Sequence, residues 1–156
     1  MPPSARHVAA VAVLVLHEGR VLALRRAPDA EAAPGVWEAS SGRIEPGEEP
    51  RATAHREVRE EAGLDVAVEG RPWTAYAATR AGEPMIVVVY RAVPHGVPHG
   101  TPEVVRSHEH DAHAWLDADA FAAQSPIAPL VDAVRTALAA APPEPSAAPT
   151  ERPAGR

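Results

Sequence analysis

Five side chains carry the chemistry that can be read first: Glu48, Arg56, Glu57, Glu60 and Glu61. From Pro50 to Ala62 the chain is dominated by Ala, Arg and Glu, with proline in the first turn and Gly63 just past the end, which predicts a helix. On a helix with Glu57 set at zero, Glu61 falls at about 40° and Glu60 at about −60°, so three carboxylates share one face. Arg56 is a single cation against that cluster, and an exposed pair of this kind contributes only about 0.2–0.5 kcal/mol. Glu48, from the loop before the helix, adds a fourth negative charge. Clustered hard oxygen donors at a loop-to-helix corner suit Mg²⁺ or Mn²⁺. Ala54, Val58 and Ala62 recur every four residues about 100° round the helix, a stripe that should pack on a sheet.

The elements that must hold this helix are legible around it. Val8 to Leu16 and Val21 to Arg26 are apolar runs separated by His-Glu-Gly-Arg, which reads as a β-hairpin. Ala27 to Gly35 is a loop, followed by a short apolar stretch at Val36 and Trp37. Leu64 to Thr79 and Pro84 to Ala92 hold strand-like runs around the turn 80–83, with Ile86 to Tyr90 expected as a buried central strand. Val93 to Gly100 repeats Val-Pro-His-Gly and reads as a surface loop, because proline cannot donate to a ladder. His108 to Leu116 is a further strand, Asp117 can cap a short helix through Phe121, and Leu130 to Leu138 form a last helix.

The spacing around the glutamates is specific. Gly42, Glu48, Arg56-Glu57-Val58, Glu60-Glu61, Gly63 and Leu64 match every defined position of the pattern Gly-x5-Glu-x7-Arg-Glu-U-x-Glu-Glu-x-Gly-U, with U apolar. The segment therefore resembles the Nudix box, and the order of elements around it resembles that family from about His7 to Ala140. The resemblance implies an α/β fold, a Nudix-like α/β/α sandwich with a mixed sheet. It implies that Glu57 and Glu61 bind metal with Glu60 sharing that work, that the Gly42 carbonyl offers another oxygen, that Arg56 orients the glutamates and that Glu48 completes an outer shell. One departure is plain: where the family commonly has Pro-Gly-Gly, this chain has Ser40-Ser41-Gly42.

The activity implied is metal-dependent hydrolysis of a phosphoanhydride in a nucleoside diphosphate linked to another group, a nucleotide or nucleotide sugar among them. The general base comes from the box, Glu60 or Glu61, or from Glu109, since Ser107-His108-Glu109-His110 is similar to the family's Ser-x-Glu-His sequence. Two alternatives are a prenyl diphosphate isomerase, which the serines suggest and the absence of cysteine opposes, and a catalytically inactive nucleotide-binding regulatory module, which the intact glutamates oppose. Arg26 and Trp37 are the expected substrate contacts. His108, His110 and His113 read as solvated strand residues, because no cysteine completes a zinc set.

Composition bounds the rest. The 156 residues suit one domain, 1–140, with 141–156 a disordered Pro/Ala-rich tail lacking large apolar side chains. A net charge of −6 offers no field for a nucleic acid duplex. The first apolar run is too short to span a bilayer and is not followed by a cleavage signal, so neither membrane nor secretion is expected. A cytoplasmic enzyme without disulfides fits, with room for a homodimer.

Overall fold

The computed structural model describes residues 6–97 and 99–144. Its elements are β1 (Val8–His17), β2 (Arg20–Arg26), β3 (Trp37–Glu38), β4 (Ser40–Arg43), α1 (Pro50–Ala62), β5 (Val66–Val68), β6 (Thr74–Arg80), β7 (Glu83–Pro94), β8 (His110–Leu116), α2 (Ala118–Gln124) and α3 (Ala128–Ala139).

β1 is the spine. Along one flank it runs parallel to β7 from Val8↔Met85 to Val15↔Ala92. Along the other it pairs antiparallel first with β4, Ala10↔Arg43 to Val13↔Ser40, and then with β2 at Leu16↔Val21 and His17↔Arg20. The expected hairpin thus exists at its turn only. The rest of β2 turns away to pair with β3 and β8. β7 is shared likewise, taking β6 and then β5 on its far side. The sheet is mixed, as expected.

Alternate residues of β1 serve two cores, as the two-residue repeat of a strand requires. Val11, Val13 and Val15 face a cluster containing Ala54, Val58 and Ala62, so the expected helix stripe does pack on the sheet. Ala10, Ala12, Leu14 and Leu16 face Phe121 from α2 and Leu130, Ala133, Val134 and Ala137 from α3. The sheet is therefore sandwiched between α1 and the pair α2 and α3.

Helix ends follow the sequence closely. Pro50 opens α1, and Gly63 closes it in the left-handed region at φ 66°, where its N–H donates to the Arg59 carbonyl. Asp117 Oδ1 accepts from the Ala120 N–H at 2.8 Å and starts α2, which runs on to Gln124.

Three expectations shift. β7 continues through Val93 to Pro94, so the repeat loop starts later than Val93. Ile86 is 40% exposed rather than buried, since β7 there is covered on one face only. The tail does not begin as free chain: Arg91 donates to the Ala141 carbonyl at 2.8 Å, and Pro143 is buried. Arg91 is itself held by Glu69 at 2.6 Å and lies over the Trp73 ring. The remaining tail, 145–156, lies outside the described residues. Truncation after Ala140 is accordingly expected to lower the melting temperature by about 2–4 °C, the effect of roughly 1 kcal/mol in a chain this size. Truncation after Glu144 should leave it unchanged, and differential scanning fluorimetry of both compares them directly.

Candidate active site

The site is built where β4, α1 and the turn before β8 converge. Arg56 is its hub. Its guanidinium grips Glu48 bidentately at 2.8 and 2.9 Å, reaches Glu57 at 2.8 Å and Glu60 at 3.3 Å, and donates to the Arg43 carbonyl at 3.2 Å. Glu48 also accepts from Thr53 Oγ1 at 2.6 Å. The hydrogen bonds from Arg56, then Thr53, hold the Glu48 carboxyl down at about 2. Glu48 is thus an anion that fixes the arginine.

Glu57 rises from α1 against the backbone of β4. A Cβ on Gly42 would overlap the Glu57 carboxylate, so glycine is needed there for close approach rather than for an unusual φ. Burial pushes the Glu57 carboxyl up, Arg56 opposes this, and Glu60 and Glu109 add to it by repulsion. Gly42→Ala should therefore displace the carboxylate and weaken Mn²⁺ binding by about 10–100-fold, the scale seen when a ligand loses its support. Titration calorimetry would measure this, and an unchanged affinity would detach Gly42 from the site.

Glu61 lies deeper than a shared helix face suggested. Glu60 is exposed, whereas Glu61 is 2% exposed. Its Oε1 accepts from Ser40 Oγ at 3.0 Å and from the Ser41 N–H at 2.8 Å. Burial, reinforced by Glu38, drives its carboxyl well above the ordinary range, against the pull of Ser41 and Ser40.

Behind Glu61 stands a group that the sequence reading missed. His110 is buried, not solvated. Its Nε2 is 3.0 Å from Glu38 Oε1, and its Nδ1 is 3.4 Å from Glu61 Oε2 without a hydrogen-bond partner. Glu38 also takes Arg26 on Oε1 at 3.1 Å and Arg80 on Oε2 at 3.0 Å. Burial raises the Glu38 carboxyl, but the His110 hydrogen bond with Arg80 and Arg26 outweighs it, and the net shift is downward. Glu38, Glu61 and His110 lie close enough to resemble a cation site. Glu38 has three donors already, so it has little left to offer a cation. His108 and His113 stay on the outside, exposed and half-buried.

Glu109 sits on the turn preceding β8, not within the strand. Two hydrogen bonds strap its loop to the end of α1: Val105 N–H to the Ala62 carbonyl at 2.9 Å and Ser107 N–H to the Glu61 carbonyl at 3.3 Å. The strap brings Glu109 close enough to act on Glu57. Arg26 and Trp37 are not brought to the same place. Arg26 is spent on Glu38 and on the Ala32 carbonyl, and Trp37 packs in the α3-side core with Arg25 over its ring.

Beside the glutamates opens a cavity of about 350 Å³, lined among others by Glu38, Tyr76, Arg80, Met85, Ile127 and Leu130. Ser41, Gly42 and Arg43 of β4 form part of its wall. A mostly apolar hollow with a few charged groups is the usual form of a small-molecule site.

Comparison with known proteins decides the family. The model of the NUDIX domain matches residues 5–136. The chain belongs to the Nudix family. It is 32% identical over 122 residues to the CTP pyrophosphohydrolase of Escherichia coli strain K12, covering 76% of this chain and 82% of that protein. It is 33% identical over 117 residues to a MutT-like protein of Streptomyces ambofaciens, covering 75% and 68%. It also matches an octanoyltransferase of Myxococcus xanthus at 34% identity, but spans only 33% of that protein's length. Among solved structures, the MutT protein from Methanosarcina mazei Go1 superposes with a TM-score of 0.73 at 22% identity, covering 85% of this chain and 94% of that one. The E. coli ORF135 protein gives 0.67 at 26% identity, covering 88% and 94%. The chain is thus a Nudix-type hydrolase, and enzymes of this family generally use divalent metals. The donors fit such an ion: Glu57 and Glu61 are anions disfavoured by their own burial, and a cation at their oxygens would relieve both.

Proposed function

We propose that this Nudix hydrolase is a Mg²⁺- or Mn²⁺-dependent pyrophosphohydrolase that splits a nucleoside triphosphate into the monophosphate and pyrophosphate. One observation carries the reading: β4 separates the cavity from the glutamates and belongs to both. Ser41, Gly42 and Arg43 line the hollow, while the same strand carries the Glu57 carboxylate against Gly42 and the Glu61 carboxylate on Ser40 and Ser41. A base seated in the hollow would send its phosphates past Gly42 and Arg43 to the carboxylates. About 350 Å³ is at the small end for ligand sites and suits one nucleoside better than two. The names of the relatives, a CTP pyrophosphohydrolase and the nucleoside triphosphatase NudI of E. coli, support the same class of substrate.

In this reading Glu57, Glu60, Glu61 and the Gly42 carbonyl would hold the metal, which would supply neutralisation of the phosphates and a lowered pKa for a water. Arg56, fixed by Glu48, keeps Glu57 and Glu60 in place. Glu109, held near the end of α1 by the strap, would take the proton of the attacking water. Glu38 and Arg80 form the polar end of the hollow, where Arg80 can meet an acceptor on the base.

The test is a product analysis with Mg²⁺ across the nucleoside triphosphates, nucleotide sugars and dinucleoside polyphosphates. Monophosphate and pyrophosphate in equal amounts from a triphosphate are expected. Release of inorganic phosphate and a diphosphate, or turnover confined to nucleotide sugars, would overturn the reading.

A further inference from the structure

A carboxylate on a flexible side chain offers two equivalent oxygens, and a metal site gains when one is committed elsewhere so that the other is presented in a single geometry. Glu61 meets that condition in an unusual way. Its Oε1 takes two buried donors, the Ser40 hydroxyl at 3.0 Å and the Ser41 N–H at 2.8 Å. Among the described residues its Oε2 takes no hydrogen bond, and it stands 3.4 Å from His110 Nδ1, which is itself without a partner there. The backbone N–H belongs to the strand whatever residue occupies 41, proline excepted. The hydroxyl does not: the proline that commonly stands at this position in the family has neither an Oγ nor an N–H to give. Ser40 is 1% exposed and its hydroxyl has no other partner among the described residues, so the side chain serves Glu61 alone.

We propose that Ser40 is a positioning residue for the metal-binding carboxylate: its hydroxyl, with the Ser41 N–H, pins Glu61 Oε1 to β4 and leaves Oε2 as the oxygen offered to the cation. The proposal rests on the reading of Glu61 as a metal ligand. In this chain the Ser-Ser-Gly entry to the box is then a substitute for Pro-Gly-Gly. Proline's fixed backbone angle is exchanged for a hydrogen bond that acts directly on the ligand.

The experiment is Mn²⁺ binding to the full chain without nucleotide, followed by the loss of the free-ion paramagnetic resonance signal, for the parent, Ser40→Ala and Ser40→Thr. Ser40→Ala is expected to weaken Mn²⁺ by about tenfold, as loss of a charge-assisted hydrogen bond would. Its metal-free melting temperature should fall by no more than about 4 °C. Ser40→Thr, which keeps the hydroxyl, should bind within about twofold of the parent. With Mn²⁺ saturating, Ser40→Ala should lower kcat while KM for the nucleotide is unchanged, because no cavity contact is lost. A parent that binds Mn²⁺ and a Ser40→Ala variant that binds it equally well would overturn the proposal and leave the functional reading standing. A parent that binds no Mn²⁺ would overturn both. A Ser40→Ala variant whose melting temperature drops while its affinity is unchanged would make Ser40 a purely structural residue.

Discussion

Glu61→Gln and Glu57→Gln are each expected to reduce turnover by roughly 10³-fold or more, since each removes a ligand charge while keeping side-chain shape. The two should differ without metal. Glu61 is enclosed and its carboxyl is raised by burial and by Glu38, so the folded protein binds its proton more tightly than the unfolded chain does. Stability from such a group is present below the ordinary carboxylate pKa of 4.5 and is lost as pH rises from there through the folded value. The metal-free parent should therefore melt at progressively lower temperature as pH climbs above that point. Glu61→Gln should lack this component of the slope. At alkaline pH its metal-free melting temperature should equal or exceed the parent's, while saturating Mg²⁺ should stabilise the parent and not the variant. Glu57 is also buried but partly neutralised by Arg56, so Glu57→Gln should show the same trend more weakly. Melting curves from pH 5 to 9 with and without Mg²⁺ measure all of this. Parent-like turnover in either variant would remove these glutamates from the metal site.

Glu109→Gln should lower kcat by roughly 10²–10⁴-fold, the usual contribution of a positioned general base, with Mn²⁺ affinity little changed. The expectation comes from placement. Glu109 is exposed on a turn that the hydrogen bonds from Val105 and Ser107 hold against the end of α1, near enough for its charge to act on Glu57. An exposed residue of this kind can be replaced without disturbing a core, so lost rate reports on chemistry. The pH profile adds a second reading: removing the base should erase the acidic limb of the rate curve. A near-normal rate with that limb intact would return the role to Glu60 or Glu61.

What the sequence showed of this site was whatever is local in the chain. The helix bounds, the glycine at its end, the stripe of Ala54, Val58 and Ala62, and the spacing of Glu57, Glu60 and Glu61 all depend on residues within a few turns of one another. The burial of Glu61 did not show, because it depends on β4 and on His110, which lies in β8. Glu38 and His110 are 72 residues apart, and each taken singly has the pattern of an ordinary surface residue. A glutamate directly after Trp37 in a strand leading to the glycine of the box, and the place of His110 in the Ser-x-Glu-His sequence, were the available signals. The partition of β1 between β4 and β2 was equally hidden. Adjacent apolar runs joined by a tight turn specify a hairpin, and it is β4, pairing with β1 from Ala10 to Val13 on the flank β2 would otherwise cover, that confines the hairpin to its turn.

The alternation of β1 side chains between its two faces gives the protein two nearly separate engineering compartments. The cavity is a hollow in the core that β1 shares with α2 and α3, whereas the glutamate helix is seated in the core on the other face of the same strand. Tyr76, Ala78, Met85, Ile127 and Leu130 all belong to the first compartment. A combinatorial library confined to those five positions should therefore redirect base preference while most members keep the metal affinity of the parent. Substitutions that act over distances with no shared partner tend to add rather than interact. Descendants of such a fold can change what they digest without relearning how to cut.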